Sequence, residues 1–538
     1  MIPYSLLRRQ CTASLLPSKH LPAMMSSLNR KVDDDNGSLI DFNDSRIAFK
    51  SKTMVELLRA RVVFTTCQFQ TLVANAGSLV NTSYKVLGKG VTNAIMRYSF
   101  FGHFCAGEDE LKIKPTVDYL QRNGIGSILD YAAESDVAEI PKAVDNKETQ
   151  CRVYDYRDEE LCDYHAITFK KCIHAVKSVS PTGFAAIKCT ALGNPKLLER
   201  MSITIFELRK LFSTFDNKHT GFVSRDDFKI TFEKIFVGAE AEEIFDQIDV
   251  NHDGMIDYIE WSNSLIIEDL GRLLVYCREQ GPLYKAALDD TEIKLVKKMR
   301  DRINNLAKLA KDLGVRLMID AEHSYFQPAI DNITIDLAKK FNTDYPVIFS
   351  TYQMYLKDAR NRLRTDILRA KAGNYKFAAK LVRGAYMVVE RARARELYLE
   401  DPIIDTLEHT HENYDSAIEE IIEEISKSQN RNDIEVMIAS HNQKSVELAI
   451  ENMSKYGLQP DSGVYFGQLL GMSDHLTFSL GNGGYKAYKY VPYGKVSEVM
   501  PYLIRRAQEN SGLMSNSKNE LKMVTTEIRR RLFIYNNM

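Results

Sequence analysis

Residues 315–324 read VRLMIDAEHS, and the fold depends on what that run becomes. Four of its first five residues, Val315, Leu317, Met318 and Ile319, are apolar, and the chain then turns acidic at Asp320 and Glu322. A short apolar run with an abrupt polar end suits a strand buried on both faces, although a buried helical turn would read the same way in isolation. Its neighbours decide the matter. Runs of the same kind occur at 124–134 (GIGSILDYAAE), 183–191 (GFAAIKCTA), 346–353 (PVIFSTYQ), 377–386 (FAAKLVRGAY), 435–442 (EVMIASHN), 463–471 (GVYFGQLLG) and 488–494 (YKYVPYG), and most precede a helical pattern. Eight buried strands alternating with helices predict an α/β fold in which a parallel sheet closes as a distorted (β/α)8 barrel.

In such a barrel the strand C-termini form the active face. The polar residues that end the runs are Glu134, Lys188, Asp320, Lys380, Arg383, His441, Gln468 and Tyr490, and their common position makes them candidates for a site. The helix expected after the last strand, VSEVMPYLIRRAQENSG, adds Tyr502, Arg505, Arg506 and Glu509 at i, i+3, i+4 and i+7, on one face. Two adjacent guanidiniums can grip one small carboxylate in fixed geometry.

One interval is out of proportion. Lys188 and Asp320 are roughly 130 residues apart, whereas a βα unit needs about 30 to 45. Within the excess, DVNHDGMIDYIE (249–260) places Asp249, Asn251, Asp253, Asp257 and Glu260 at positions 1, 3, 5, 9 and 12 of a calcium loop, with Gly254 at the sharp turn and the Met255 carbonyl at position 7. An earlier loop, DNKHTGFVSRDD (216–227), carries Lys218 where the cation would sit, and reads as a structural mate that pairs through Val223 and Ile256. The expectation is an all-α EF-hand pair at 200–280, splitting the barrel into 121–199 and 281–515. A helical region at 46–120 precedes it and a helical tail at 516–538 follows.

The net charge of -1 gives no basic field for nucleic acid. No run of 18 apolar residues signals a membrane span. The eight cysteines form no C-x-x-C pair, which fits reduced thiols in an intracellular compartment. Residues 1–32 contain Arg8, Arg9, Lys19, Arg30 and Lys31 but no acid, so 1–45 reads as a mitochondrial transit peptide and leader.

The ordered segments RLMIDAE, KLVRGAY, ASHN, YFGQLLGM, KYVPYG and PYLIRRAQEN resemble the mitochondrial proline dehydrogenase family. The resemblance implies FAD at the strand ends, oxidation of L-proline to pyrroline-5-carboxylate, and electrons passed to ubiquinone at the matrix side of the inner membrane. It implies that Arg505, Arg506 and Lys188 bind the substrate carboxylate, that Asp320 and Tyr490 shape the pocket, and that Tyr386, Leu469 and Tyr502 wall it. Glu509 would hold an arginine, and Glu134 would act as a gate. Lys380, Val382, Arg383, Gly384, Ala385, Ser350, Thr406, Ser440, His441 and Gln468 would contact the cofactor. Tyr490, where hydroxyproline-oxidising relatives carry a smaller residue, favours plain proline. Two other readings stay open from sequence: a hydroxyproline dehydrogenase, and a calcium-responsive binding protein on an inactive barrel. Calcium bound by the insert would tune the enzyme.

Overall fold

Each of the eight apolar runs forms a strand, and the strands close on one another. A computed structural model of the chain describes residues 40–131, 156–180, 183–264, 267–428, 430, 432–512 and 514–536; Glu134 and residues 1–39 of the expected leader lie outside them, whereas its last residues are packed, with Phe42 buried and Asp44 capping the helix Ser45–Ala48. The barrel strands are β1 (Ile125–Tyr131), β2 (Phe184–Ile187), β5 (Arg316–Ile319), β6 (Ile348–Gln353), β7 (Phe377–Val382), β8 (Ile434–Ala439), β9 (Val464–Leu469) and β10 (Lys486–Tyr493), with β3 (Phe222–Ser224) and β4 (Met255–Asp257) in the insert. All barrel pairings are parallel, and β10 pairs with β1 along seven residues, from Ala487 opposite Ile125 to Tyr493 opposite Tyr131.

Alternation along the strands sorts side chains between lumen and outer face. Ile128, Phe184, Ala186, Met318, Phe349, Ala378, Met437, Tyr465 and Tyr488 pack together as the lumen core. Leu129, Ala185, Ile187, Leu317, Ile319, Ile348 and Val491 join the covering helices in a second, larger core. A lumen this narrow forces small residues where rings cross it. A Cβ on Gly126 would fall 2.2 Å from the Tyr488 ring. The lower end is closed by Arg316, which donates to both Glu435 oxygens at 3.0 and 3.1 Å and lies over the rings of Phe184 and Tyr465.

The covering helices start and stop where local chemistry dictates. Asp289 and Glu292 form a capping box at the start of the helix Asp290–Leu313, and Gly314, at φ 68°, ends it in the left-handed region. Outside the barrel, the helix Met54–Cys67 packs on the C-terminal helix Met514–Asn536 through Leu57, Ala60, Phe64, Met523, Val524 and Ile528. Both are tied to the barrel through Asp474, whose carboxylate meets the fully buried Lys489 of β10 at 2.8 Å and Lys52 at 3.0 Å. Burial alone would raise this carboxyl, but the two ammoniums outweigh it and hold it well below the usual carboxylate range. Glu520, on the C-terminal helix, accepts the backbone N–H groups of Ser473 and Asp474 at 2.8 and 3.0 Å.

The insert between β2 and β5 holds two helix–loop–helix units. The strands β3 and β4 pair antiparallel with Val223 opposite Ile256, above an aromatic core of Phe212, Phe215, Phe228, Phe232, Phe245 and Trp261. The helix Pro195–Phe215 belongs to both bodies. Its Leu197, Leu198 and Met201 pack in the barrel core, whereas Phe212 and Phe215 pack in the insert. The expected boundary at 199/200 therefore falls inside one continuous helix.

Candidate functional site

A ring of polar side chains stands at the C-terminal mouth, each two residues beyond a lumen position: Asp130 after Ile128, Lys188 after Ala186, Asp320 after Met318, Lys380 after Ala378 and Tyr490 after Tyr488. The period of two carries the lumen face up to the mouth. Lys380 is buried and ion-paired with Asp320, whose other oxygen accepts the Tyr490 hydroxyl at 3.1 Å. The Lys380 ammonium also lies 5.8 Å from the Tyr490 ring centroid. Burial pushes the Tyr490 phenol far above its ordinary value, and the nearby carboxylates of Asp130 and Asp320 push it further. It is a neutral hydrogen-bonding group at any physiological pH.

The helix Met500–Gly512 brings Tyr502 within electrostatic reach of Asp130 and Tyr490 of this ring. Tyr502 packs in one cluster with Leu469 and Met472, which anchors the helix to the end of β9. Arg506 is buried, meets Glu509 at 2.5 Å and lies 4.6 Å over the Tyr502 ring. Arg505, one residue earlier, is half-buried. The Tyr502 hydroxyl is buried without a hydrogen-bond partner among the described residues, which leaves it a polar contact to offer a ligand. On the opposite rim, the Tyr386 ring sits 4.3 Å from that of His323.

A second group of residues follows β7. Arg383 donates to His411 Nδ1 at 2.9 Å, Ser440 Oγ at 2.8 Å and Ser445 Oγ at 2.8 Å, with Asp415 no nearer than 3.9 Å. Its guanidinium is positioned by neutral groups, so its charge is available to an anionic ligand such as a phosphate. Gly384 has φ 141° and packs so close to Tyr355 that a Cβ would fall 2.5 Å from the ring. Beyond it, Met387, Val388 and Val389 are exposed, as are Leu397, Leu399 and Leu407. Exposed apolar side chains beside an arginine of this kind fit a large cofactor with a flat apolar ring and an anionic tail. His441 is held neutral by burial, helped by Lys489 and Arg506, its pKa pushed down to about 3, and its Nδ1 meets Ser473 Oγ at 3.0 Å.

The family model for proline dehydrogenase matches residues 114–519. The chain belongs to the proline dehydrogenase family. It is 37% identical to "Proline dehydrogenase 1, mitochondrial" of Homo sapiens, over 92% of this chain and 90% of the relative, and 35% identical to the Drosophila melanogaster protein of the same name, over 92% and 81%. It is also 30% identical to "Hydroxyproline dehydrogenase" of Bos taurus, over 90% and 92%. Among solved structures, proline utilization A from Bdellovibrio bacteriovorus inactivated by N-propargylglycine aligns with a TM-score of 0.53 at 15% identity, covering 87% of this chain and 38% of that one. That likeness concerns the fold.

Two residues expected at the cofactor, Ser350 and Gln468, turn their side chains to the outer side of the barrel wall, and a third, Thr406, has a capping role. Ser350 lines the outer side of β6 with Ile348 and Tyr352, toward the helices, because the inner face of that strand carries Phe349 and hence Thr351 and Gln353. Gln468 also points outward, donating to the Ser440 carbonyl at 3.1 Å and accepting from Thr477 Oγ at 2.9 Å, so both ends of its amide are used inside the protein. Thr406 caps the helix Leu407–Lys427 by accepting the His409 N–H. Asp130 is the residue the sequence reading passed over, in a run where only Glu134 was singled out. Its alternation with Ile128 was the available signal.

In the insert, Asp249 accepts the N–H groups of Asp253 and Gly254, and Glu260 those of Asn251 and Asp257. Among the described residues no three His, Cys, Asp or Glu side chains converge to hold a metal ion.

The orientations of β6 and β1 lead to a paired expectation. Ser350→Ala leaves kcat/KM within about twofold, whereas Asp130→Ala lowers it by about tenfold or more, a typical loss for a buried charged contact to a site group. Steady-state kinetics on both variants checks it, and the reverse ranking would place the β6 contact inside the site after all.

Proposed function

We propose that the barrel mouth oxidises L-proline to 1-pyrroline-5-carboxylate with FAD as cofactor and ubiquinone as electron acceptor, as the first step of proline catabolism in the mitochondrial matrix. The observation that supports this reading is that the helix bearing Arg505 and Arg506 sets Tyr502 beside Asp130 and Tyr490, in the same ring as Lys188, Asp320 and Lys380. A zwitterionic amino acid needs a fixed cationic grip for its carboxylate and a closed, polar floor beneath its ring.

Arg505 and Arg506 hold the carboxylate, with Lys188 rising from the end of β2. Glu509 keeps Arg506 in a single orientation. Leu469, Tyr502 and Tyr386 wall the ring and exclude water from the reacting carbon. Asp320 fixes the Lys380 ammonium and the Tyr490 hydroxyl in place, so that two hydrogen-bond donors stand at set positions beneath the cofactor. FAD, when bound, supplies the acceptor for a hydride from the ring carbon next to nitrogen. Val382, Arg383, Gly384, Ala385, Ser440 and His441 are the residues that would hold it. The proline amine must lose its proton before the hydride leaves, and a site with two arginines and a lysine lowers that amine's pKa.

Tyr490 bears on substrate choice. Its hydroxyl already donates to Asp320, and a phenol in place of a smaller side chain at this position favours proline over hydroxyproline. The relatives named mitochondrial support the location, and ubiquinone implies contact with the inner membrane. Among the described residues no helix is long and apolar enough to cross a membrane. The contact we propose is peripheral.

Arg505→Met should raise the KM for L-proline by about 100-fold or more, because charge-assisted contacts are each worth about 1.5 to 3 kcal/mol. Initial rates over a proline series, with trans-4-hydroxyproline run alongside, decide this. An unchanged KM overturns the carboxylate assignment, and equal turnover of both substrates overturns the proline reading.

We further propose that 249–260 is a calcium loop of an EF-hand pair. Met255 supplies a carbonyl, and Asp249, Asn251, Asp253, Asp257 and Glu260 supply side-chain oxygens, once their internal N–H contacts are exchanged for the ion. The helix that follows, Tyr258–Ser264, is joined to the barrel by Arg369, which donates to Ser262 Oγ and Asn263 Oδ1 at 2.7 and 2.8 Å. Ordering the loop would therefore act on a barrel helix and tune turnover. Proline turnover should respond to calcium in the wild type and not in Glu260→Gln; identical calcium profiles would make the insert structural only.

A further inference from the structure

Between Leu57 and Gly107 the chain contains no Asp or Glu, while Arg59, Arg61, Lys85, Lys89 and Arg97 fall within it. This segment folds as short helices, Met54–Cys67, Gln70–Ala74, Ala76–Val86 and Gly88–Met96. The last two bury little. Of their residues only Thr92 is buried. Their large apolar side chains face outward instead: Leu79 and Val86 on one helix, Val91 and Ile95 on the next, followed by Tyr98, with Val86 75% and Tyr98 76% exposed.

The first helix of the segment also exposes an apolar stripe. Val55, Leu58 and Val62 are exposed at i, i+3 and i+7, one stripe of the helix. Its opposite stripe, Leu57, Ala60 and Phe64, lines a cavity of about 700 Å³ that also touches Leu470, the residue after the pocket wall Leu469. The helix is apolar on both sides, and among the described residues only the Leu57, Ala60 and Phe64 side is packed against the rest of the protein. Next to its start, Arg531 donates to the carbonyls of Phe49 and Lys52, which brings the exposed Leu532 and Phe533 of the C-terminal helix to the same edge.

We propose that this helical face, whose one acid is Glu56 in the capping box with Thr53, is the surface by which the protein docks on an anionic lipid bilayer. Exposed apolar residues interleaved with lysine and arginine are what an interfacial helix needs, since burial of the apolar side chains and attraction to anionic headgroups add together. Arg61, Lys85 and Lys89 are exposed and stand among the apolar residues; Arg97 is held by Glu108 at 2.8 Å. A second copy of the chain is a poorer occupant, because it would set the same positive charge against itself. The inference deepens the peripheral membrane contact proposed above by giving it a location, and rests on that reading only for its purpose.

The test uses the full, flavin-loaded chain and the variant Val86→Asp/Ile95→Asp, whose sites are exposed and far from the mouth residues in sequence. Both proteins are sedimented with phosphatidylcholine vesicles, with and without about 30% phosphatidylglycerol, and turnover is read with a water-soluble dye as acceptor. The wild type should bind the anionic vesicles about tenfold more tightly than the neutral ones, and weaken as salt rises. The variant should lose about tenfold or more of that binding while keeping dye-linked turnover. Equal binding by variant and wild type overturns the proposal. So does loss of self-association in the variant without any vesicle binding by the wild type, which would assign the face to a second copy. No turnover with proline by either protein refutes the enzymatic reading instead, and leaves the vesicle result to stand alone.

Discussion

The Asp320 carboxylate is the fixed point of the mouth. It stands at the end of β5 and is engaged on one side by the buried Lys380 of β7 and on the other by the Tyr490 hydroxyl of β10. These strands are not neighbours in the barrel, so the contact crosses the opening and ties three sides of it together. An ammonium buried at this depth is costly without its partner, and breaking such a pair from one side typically costs about 3 to 5 kcal/mol. The barrel meets that cost where the substrate and cofactor are expected, which is a reason to regard the pair as functional as well as structural.

What surrounds the pair follows from closure. The lumen below is filled with aromatic, methionine and aliphatic side chains, which close the polar layer from beneath. The helix with Arg505 and Arg506 is held by apolar packing through Tyr502 and Leu469. The network of Asp474 with Lys489 and Lys52 couples the adjacent outer face of β10 to the N-terminal helices. The mouth, the last helix and the outer helices are therefore connected by a short series of buried contacts.

Much of this was legible in the sequence, and the exceptions have a common cause. The eight runs could be seen because both faces of a barrel strand are buried, which leaves an apolar signature in a single chain. Lys188, Asp320, Lys380 and Tyr490 could be picked because they end those runs. Motif position alone, however, does not say which face a residue occupies. Ser350 and Gln468 stand one residue out of step with the lumen, and Asp130 stands in step, a distinction that required knowing that Ile128 and Phe349 face inward. The insert was visible as an excess of length, but not the way Pro195–Phe215 runs unbroken from barrel to insert, since a continuous helical pattern carries no mark where its packing partner changes.

The most direct test of the account is the rate at which L-proline reduces bound flavin in Asp320→Asn, followed by stopped-flow loss of the flavin's visible absorbance. If the carboxylate positions Lys380 and Tyr490 for the reaction, reduction slows by about 100-fold or more while flavin content stays at the wild-type level. Reduction within about twofold of wild type, with the same flavin content, would contradict it.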